Sequence, residues 1–242
     1  MKRLLPLFII FSLCAKRQEF SPKTAREAFE FAMEEFNNKH YSRAAQLFED
    51  CTFKFPMSRY TSDAQFYLAE CYFLSHNYDK ASTEYEFFVH NFPSSSHYEE
   101  AYYKLGLSYF LSSPPPQKDQ DRTRKAKEII EKFIKNFPES KFSEDAKEWL
   151  KKIEEKLARR NYDAFKLYLR YDELTSALVY LDYLREKYPD TPSRWRAEWE
   201  LAQYYEGKKE YGKAEEIYRT ITQGDNKFKE KARERKERLR CR

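Results

Sequence analysis

The side chains best suited to bind a metal or act as nucleophiles are four cysteines and four histidines. A structural zinc site takes four nitrogen or sulfur ligands at characteristic spacings, such as a CxxC pair. These residues show no such spacing: Cys14, Cys51, Cys71, Cys241, His40, His76, His90 and His97. Asp and Glu are abundant but stand three or four residues from Lys or Arg, which is typical of exposed helical ion pairs. We predict no metal, no cofactor, no catalytic residue and a protein that is not an enzyme.

Glycine content narrows the classes of binding site and of fold. Only four glycines occur, and they are isolated at Gly106, Gly207, Gly212 and Gly224. A nucleotide-binding loop needs clustered glycines so that backbone amides can approach the phosphates, and tight β-hairpin turns also favour glycine. With 41% hydrophobic and 35% charged residues, the chain is too apolar for disorder and too charged for a polytopic membrane protein. These features favour an all-α fold.

The first residues have the pattern of an export signal. Lys2 and Arg3 are followed by an apolar stretch from Leu4 to Leu13, and Cys14 comes next. The stretch is too short to span a bilayer, which takes about 20 residues. The pattern resembles a bacterial lipoprotein signal, so we expect residues 1–13 to be cleaved, Cys14 to be acylated and residues 14–23 to link the anchor to the fold. Because Leu13 replaces the usual small residue, a general signal cut a few residues later is the alternative.

Two other cysteines, Cys51 and Cys71, fall on predicted neighbouring helices. An oxidising compartment could join them in a disulfide. The interpretation that we favour is burial of two small apolar side chains.

A repeated block is the strongest pattern in the chain. In each block an alanine opens an amphipathic segment that ends in an aromatic residue and proline. The alanine and proline are twelve residues apart at Ala44 to Pro56, Ala81 to Pro93, Ala126 to Pro138 and Ala177 to Pro189. Ala214 opens a fifth block without the proline. Small alanine lets two helices cross closely and proline cannot continue a helix, so each block predicts the second helix of a hairpin.

A small residue also marks the first helix of four hairpins. Ala32, Ala69 and Ala202 precede the block alanines by twelve residues, whereas Gly106 precedes Ala126 by twenty. The third repeat therefore carries eight extra residues, and the fourth is longer still. The periods resemble the tetratricopeptide consensus and predict an all-α, right-handed superhelical stack of five tetratricopeptide-like hairpins over 24–224. A basic tail, 225–242, follows.

The consensus places the first helix of each pair on the concave side of the superhelix. This predicts a groove for an aromatic peptide, lined by Phe29, Met33, Phe36, Phe66, Glu70, Phe73, Tyr103, Leu107 and Phe110. An aromatic stripe at helical spacing can equally be core. On the groove hypothesis, Phe66→Ala or Tyr103→Ala weakens binding of a peptide that ends in Phe, with little change in melting temperature.

The insertion in the third repeat is the most distinctive segment. Residues 112–126 contain three consecutive prolines, then Asp119, Gln120 and Thr123 before Ala126. We expect Asp121 or Thr123 to cap the helix that follows. This loop resembles the BamD family of outer-membrane assembly lipoproteins. The likeness continues through 136–171, where we expect a long helix bent into a second one, to 188–191. It runs from Cys14 to about Thr222, with the lipoprotein signal and five repeats in matching order.

The resemblance implies a lipid-anchored scaffold on the periplasmic face of the outer membrane. Its C-terminal repeats would bind the barrel-inserting subunit and other assembly lipoproteins, and we place that contact at Tyr180, Asp182, Arg196, Trp199 and Gln203. Its N-terminal repeats would receive unfolded outer-membrane barrel proteins. The alternative is another periplasmic repeat adaptor that coordinates envelope or cell-wall processes.

The tail is strongly basic, with nine Lys or Arg against three Glu over 227–242. It could hold anionic lipid, but a solvated helix that caps the stack is the interpretation that we favour. An exported lipoprotein does not meet nucleic acid, so none is expected as a partner.

Overall fold

A computed structural model describes residues 22–240. The predicted signal peptide 1–13, the acylation site Cys14, most of the linker and Cys241 lie outside this range. Within it are eleven α-helices: α1 (Ala25–Asn37), α2 (Tyr41–Lys54), α3 (Thr61–Leu74), α4 (Tyr78–Asn91), α5 (Tyr98–Leu111), α6 (Asp121–Asn136), α7 (Ser143–Arg170), α8 (Leu174–Lys187), α9 (Pro192–Gly207), α10 (Tyr211–Gln223) and α11 (Lys229–Arg240).

The helices pack mainly against their neighbours in sequence. Five consecutive pairs, from α1–α2 to α9–α10, correspond to the five predicted hairpins, and no strand occurs between residues 22 and 240. The predicted all-helical repeat stack is confirmed. Contacts between helices close in sequence are expected of a repeat array, in which each unit touches only the next one.

The small residues stand where the helices cross. The five block alanines are completely buried, as are Ala32, Ala69 and Ala202. At Gly106 there is no room for a side chain, because a Cβ atom would lie 2.6 Å from Cδ1 of Ile130 on α6. This close approach explains why the smallest residue occupies the crossing of α5 and α6.

Four of the five hairpins turn through one residue in the left-handed region. These residues are Lys39, His76, Asp172 and Lys209, each with φ near +60°. The third hairpin lacks this turn, because the proline-rich segment connects α5 to α6. A tight turn and a longer insertion are therefore alternative ways of joining the same helix pair.

Helix α7 differs from the prediction for the fourth repeat. The expected bend into a second helix does not occur, because Ser143–Arg170 forms one continuous helix of 28 residues. Its first half packs in a core with α3–α6 through Ile153 and Leu157. Its second half packs with α8–α11 through Tyr162 and Phe165. The long helix thus joins the two larger cores of the described chain.

Three smaller predictions concern the core and the ends of helices. Cys51 and Cys71 are free and buried, so the interpretation as two apolar side chains is confirmed. The expectation that Asp121 or Thr123 caps α6 is wrong, since Gln120 occupies the cap position without a capping side-chain bond. The tail forms α11, which packs on α10 and buries Ala232.

Candidate functional site

The first helix of four repeats carries an aromatic ring that meets a second ring just before the helix that follows the hairpin. The paired rings lie roughly parallel, with centroids 4.1 to 5.4 Å apart. The four pairs are Phe29 with Tyr60, Phe66 with His97, Tyr103 with Phe142, and Trp199 with Phe228. Stacked aromatic pairs stabilise the contact beyond the area that they bury. This position therefore joins each of the first three repeats to the next one, and the fifth repeat to α11.

The stacking explains a correction to the predicted groove. Phe66, Glu70, Tyr103 and Leu107 are only 4%, 6%, 5% and 6% exposed. The prediction that these four line an open concave surface is wrong as to exposure. The Phe66 and Tyr103 rings are covered by His97 and Phe142, which precede the next helix. In these two repeats the interpretation of the stripe as core holds. Burial also raises the pKa of the Tyr103 phenol to about 12.

The Glu70 carboxylate is paired with side chains of the two following helices. The Lys104 amine on α5 donates to both Glu70 carboxylate oxygens at 2.6 and 2.7 Å, and the Tyr85 hydroxyl also donates to this carboxylate. Lys104 pairs with Glu100 as well, at 2.8 Å. Burial, followed by the nearby Glu70 charge, raises the pKa of Tyr85 well above its usual value. A buried carboxylate is tolerated because a cation and a hydroxyl satisfy it.

Five predicted groove residues are half-buried: Phe29, Met33, Phe36, Phe73 and Phe110. They pack on the cores of the stack. Phe73 lies edge-on against Tyr78 of its own repeat, and Phe110 lies edge-on against Trp149 of the fourth repeat. Leu74 and Leu111, which were not predicted, directly follow Phe73 and Phe110 and are 39% and 36% exposed. Each stands five residues after the small crossing residue, so the repeat register could have identified them.

The two insertions meet in space. The Gln117 amide on the proline loop donates to Asp163 of α7 at 3.0 Å, and the Lys156 amine donates to the Ser113 carbonyl at 3.0 Å. Buried Gln120 holds the loop from inside, because its amide nitrogen donates to the Pro115 carbonyl at 2.8 Å. Burial lowers the pKa of the Lys156 amine. The segments that break the repeat period thus form one local structure.

A family model described as the outer membrane lipoprotein YfiO matches residues 21–223. This range includes α1 to α10 and most of the chain. The chain belongs to the YfiO family. The resemblance to BamD is confirmed, because the YfiO and BamD names describe the same family. No curated protein matches the chain significantly.

Solved structures similar to this YfiO-family chain contain tetratricopeptide repeats. One is a putative kinesin light chain with TPR-like repeats from Podospora anserina, 15% identical with a TM-score of 0.43, covering 83% of this chain and 95% of that one. Another is a thermophilic TPR protein from Thermus thermophilus, 15% identical with a TM-score of 0.39, covering 90% of this chain and 100% of that one. Because both TM-scores are below 0.5, the fold assignment rests on the helix pairs described above.

The predicted partner residues of this YfiO-family chain lie on α8 and α9. Asp182 and Gln203 are exposed, and Asp182 accepts from Arg185 at 2.9 Å. Arg196 lies over the Tyr162 ring, and Tyr180 stacks on Tyr168. Trp199 is partly covered, because Phe228 stacks on it in the segment before α11. The five side chains therefore differ in their availability to a partner.

A buried ion pair next to these residues was not predicted. The Arg185 guanidinium donates to both oxygens of fully buried Glu198, at 2.7 and 2.8 Å. This hydrogen bonding raises the pKa of Arg185. Arg194 lies 3.4 Å from Glu198, and burial lowers its pKa. The pair fixes the end of α8 against α9.

Two kinds of feature are absent between residues 22 and 240. This part of the chain contains no group of three or more His, Cys, Asp or Glu side chains placed to hold a metal ion. None of its helices has both the length and the apolar character needed to cross a membrane.

Proposed function

We propose that the chain is a non-catalytic scaffold of the machinery that assembles barrel proteins in the outer membrane. The proposal rests on the YfiO-family match across 21–223, which includes every helix of the five-repeat stack. Stacked helix pairs provide an extended surface for other polypeptides. The scaffold works at the periplasmic face of the outer membrane, without a cofactor.

The anchor in this proposal is an acyl chain on Cys14. The family is one of lipoproteins, which supports this part. Mass spectrometry of the protein from membranes tests it. Acylation at Cys14 in the wild type, and release of a Cys14→Ala variant into the soluble periplasm, are the expected results. An unacylated N-terminus a few residues beyond Cys14 would contradict the anchor but leave the scaffold function open.

The partners are the barrel-inserting subunit and other assembly lipoproteins at the C-terminal repeats, and unfolded barrel proteins at the N-terminal repeats. Exposed Asp182 and Gln203 support the first contact. The exposed Leu74 and Leu111, next to half-buried phenylalanines, support the second. Burying one such side chain contributes roughly 1.5 to 3 kcal/mol, so a few anchors suffice for reversible micromolar binding.

Capture of partners from envelope extracts tests the function. We expect the tagged full chain to recover an outer-membrane barrel protein with periplasmic domains, and an Asp182→Arg/Gln203→Arg variant to recover less. Both positions are exposed, so the variant is expected to keep its melting temperature. Recovery of cell-wall synthesis factors in place of the barrel protein would favour the alternative adaptor function.

A further inference from the structure

A cleft opens where the start of α6, the middle of α7 and the end of α8 meet. Its volume is about 490 Å³, which lies within the roughly 300 to 1,000 Å³ of ordinary ligand sites. It adjoins the contact between the two insertions, because buried Gln120 contributes to its wall. The side chains that matter here are Arg124, Arg160, Asn161, Tyr180, Tyr183 and Tyr188.

The cleft has cations but no carboxylate in its lining. Arg160 is exposed and forms no ion pair with any residue in the range 22–240. Arg124 pairs with Asp121, three residues away on the same exposed helix face. Such a surface pair contributes little, so an incoming anion can replace it. The lining therefore favours a negatively charged group.

Three tyrosine rings form the apolar side of the cleft. Tyr180 is held by its stack on Tyr168, with centroids 5.5 Å apart, and Tyr183 lies 6.1 Å from Tyr188. Burial raises the pKa of the Tyr188 phenol above its usual value. Tyrosine and arginine are both enriched at the hot spots of protein contacts.

The proline loop, which forms one wall of the cleft, is held in place by hydrogen bonds. Gln120 is anchored by backbone carbonyls of its own loop, and Thr123 donates to its side-chain oxygen at 2.8 Å. Lys156 ties α7 to Ser113 at the other end of the loop. A site that is ordered before binding loses less entropy when a partner arrives. Both insertions thus contribute to a preformed recess outside the repeat pattern.

We propose that this cleft binds a segment of a partner polypeptide in which an acidic side chain stands beside an aromatic one. The carboxylate pairs with Arg160 and Arg124, and the ring packs among the tyrosines. The proposal rests on the scaffold function, since a scaffold provides the polypeptide partner, but it does not depend on which protein that is. Bidentate arginine contacts to a carboxylate give it both strength and orientation.

Fluorescence anisotropy of the full chain in detergent tests the cleft. The probe is a short, capped, labelled peptide with one Asp-Phe pair, and its matched peptide has Asn-Phe. The chain variants are Arg160→Gln and Tyr183→Ala, and Arg170→Gln is the control because Arg170 is also an arginine of α7 but lies outside the cleft.

We expect the wild type and Arg170→Gln to bind the Asp-Phe peptide roughly tenfold more tightly than Asn-Phe, as for a hydrogen-bonded charge pair. Arg160→Gln should lose this discrimination, and Tyr183→Ala should weaken both peptides. Equal discrimination by Arg160→Gln, no binding by the wild type, or full displacement of the peptide by equimolar inorganic phosphate would overturn the proposal. Because envelope capture measures the scaffold function separately, normal capture by the wild type together with no peptide binding by the wild type would reject the cleft alone.

Discussion

Tyr103 and Phe142 stack with ring centroids 5.0 Å apart and ring planes at 16°. Tyr103 lies in the first helix of the third repeat, and Phe142 immediately precedes the first helix of the fourth. The same relationship joins Phe66 to His97. Residues that the repeat register assigns to a peptide groove therefore hold adjacent repeats together, and their removal acts on stability before it acts on binding.

Tyr103→Ala should lower the free energy of unfolding by about 3 to 5 kcal/mol, as for other large aromatic residues removed from a core. Tyr103→Phe keeps the stacked ring and is the matched control, with an expected loss below about 1.5 kcal/mol. Urea unfolding followed by circular dichroism measures both. This replaces the expectation from sequence that the alanine variant leaves the melting temperature unchanged. A Tyr103→Ala protein as stable as the wild type would show that the stack is not needed.

The Lys104 amine is the cation that satisfies buried Glu70. Lys104→Ala leaves this carboxylate without its cation, and we expect a loss of about 3 to 5 kcal/mol. The double variant Glu70→Gln/Lys104→Met removes both charges and should be more stable than Lys104→Ala, since an amide can still accept from Tyr85. The urea unfolding midpoints of the wild type, Lys104→Ala and the double variant measure these differences in stability. A double variant no more stable than Lys104→Ala would mean that the loss of the ion pair, which both variants share, and not the isolated charge, sets the cost.

Gly106→Ala introduces a methyl group against Ile130, whose Cδ1 and Cγ1 would lie 2.6 and 2.7 Å away. Overpacking of this kind costs about 1 to 3 kcal/mol. Ile130→Ala removes both atoms, so we expect the double variant to be more stable than the sum of the two single losses implies. Thermal unfolding of the wild type, the two single variants and the double variant measures the interaction energy between the two positions. Simple additivity would show that the crossing of α5 and α6 adjusts without strain.

Much of the fold follows from the sequence because its signals are local. The twelve-residue spacing from Ala81 to Pro93 depends only on the length of one helix, so each hairpin could be predicted from its own segment of the sequence. The exposure of Phe66 and Tyr103 could not be predicted in this way, because it depends on His97 and Phe142, which the consensus leaves unspecified. The tyrosine cleft is less predictable still, since it arises where two aperiodic insertions meet.

Raising the pH above about 10 should destabilise the protein through buried tyrosines. Burial raises the folded-state pKa of Tyr85, Tyr103 and Tyr162 above the unfolded value. The stability that depends on neutral phenols is complete below the unfolded pKa, and it is lost as the pH rises through the folded values. Urea unfolding at about pH 8 and about pH 11, on either side of the ordinary tyrosine pKa, should show a smaller loss for Tyr162→Phe than for the wild type. Equal losses would show that Tyr162 does not contribute to the effect.

Leu74 and Leu111 provide a test of peptide binding that leaves the core intact, because both are partly exposed. The double variant Leu74→Ser/Leu111→Ser should weaken binding of a labelled peptide that ends in Phe by about tenfold or more, since each leucine contributes up to roughly 1.5 to 3 kcal/mol when fully covered. Its melting temperature should change little. Val179→Ser is the control, as Val179 is 65% exposed in the fourth repeat, away from both leucines. Unchanged affinity in the double variant, measured by anisotropy, would remove the N-terminal repeats as the binding surface for barrel substrates, because the other residues first assigned to that groove are buried or packed on the cores of the stack.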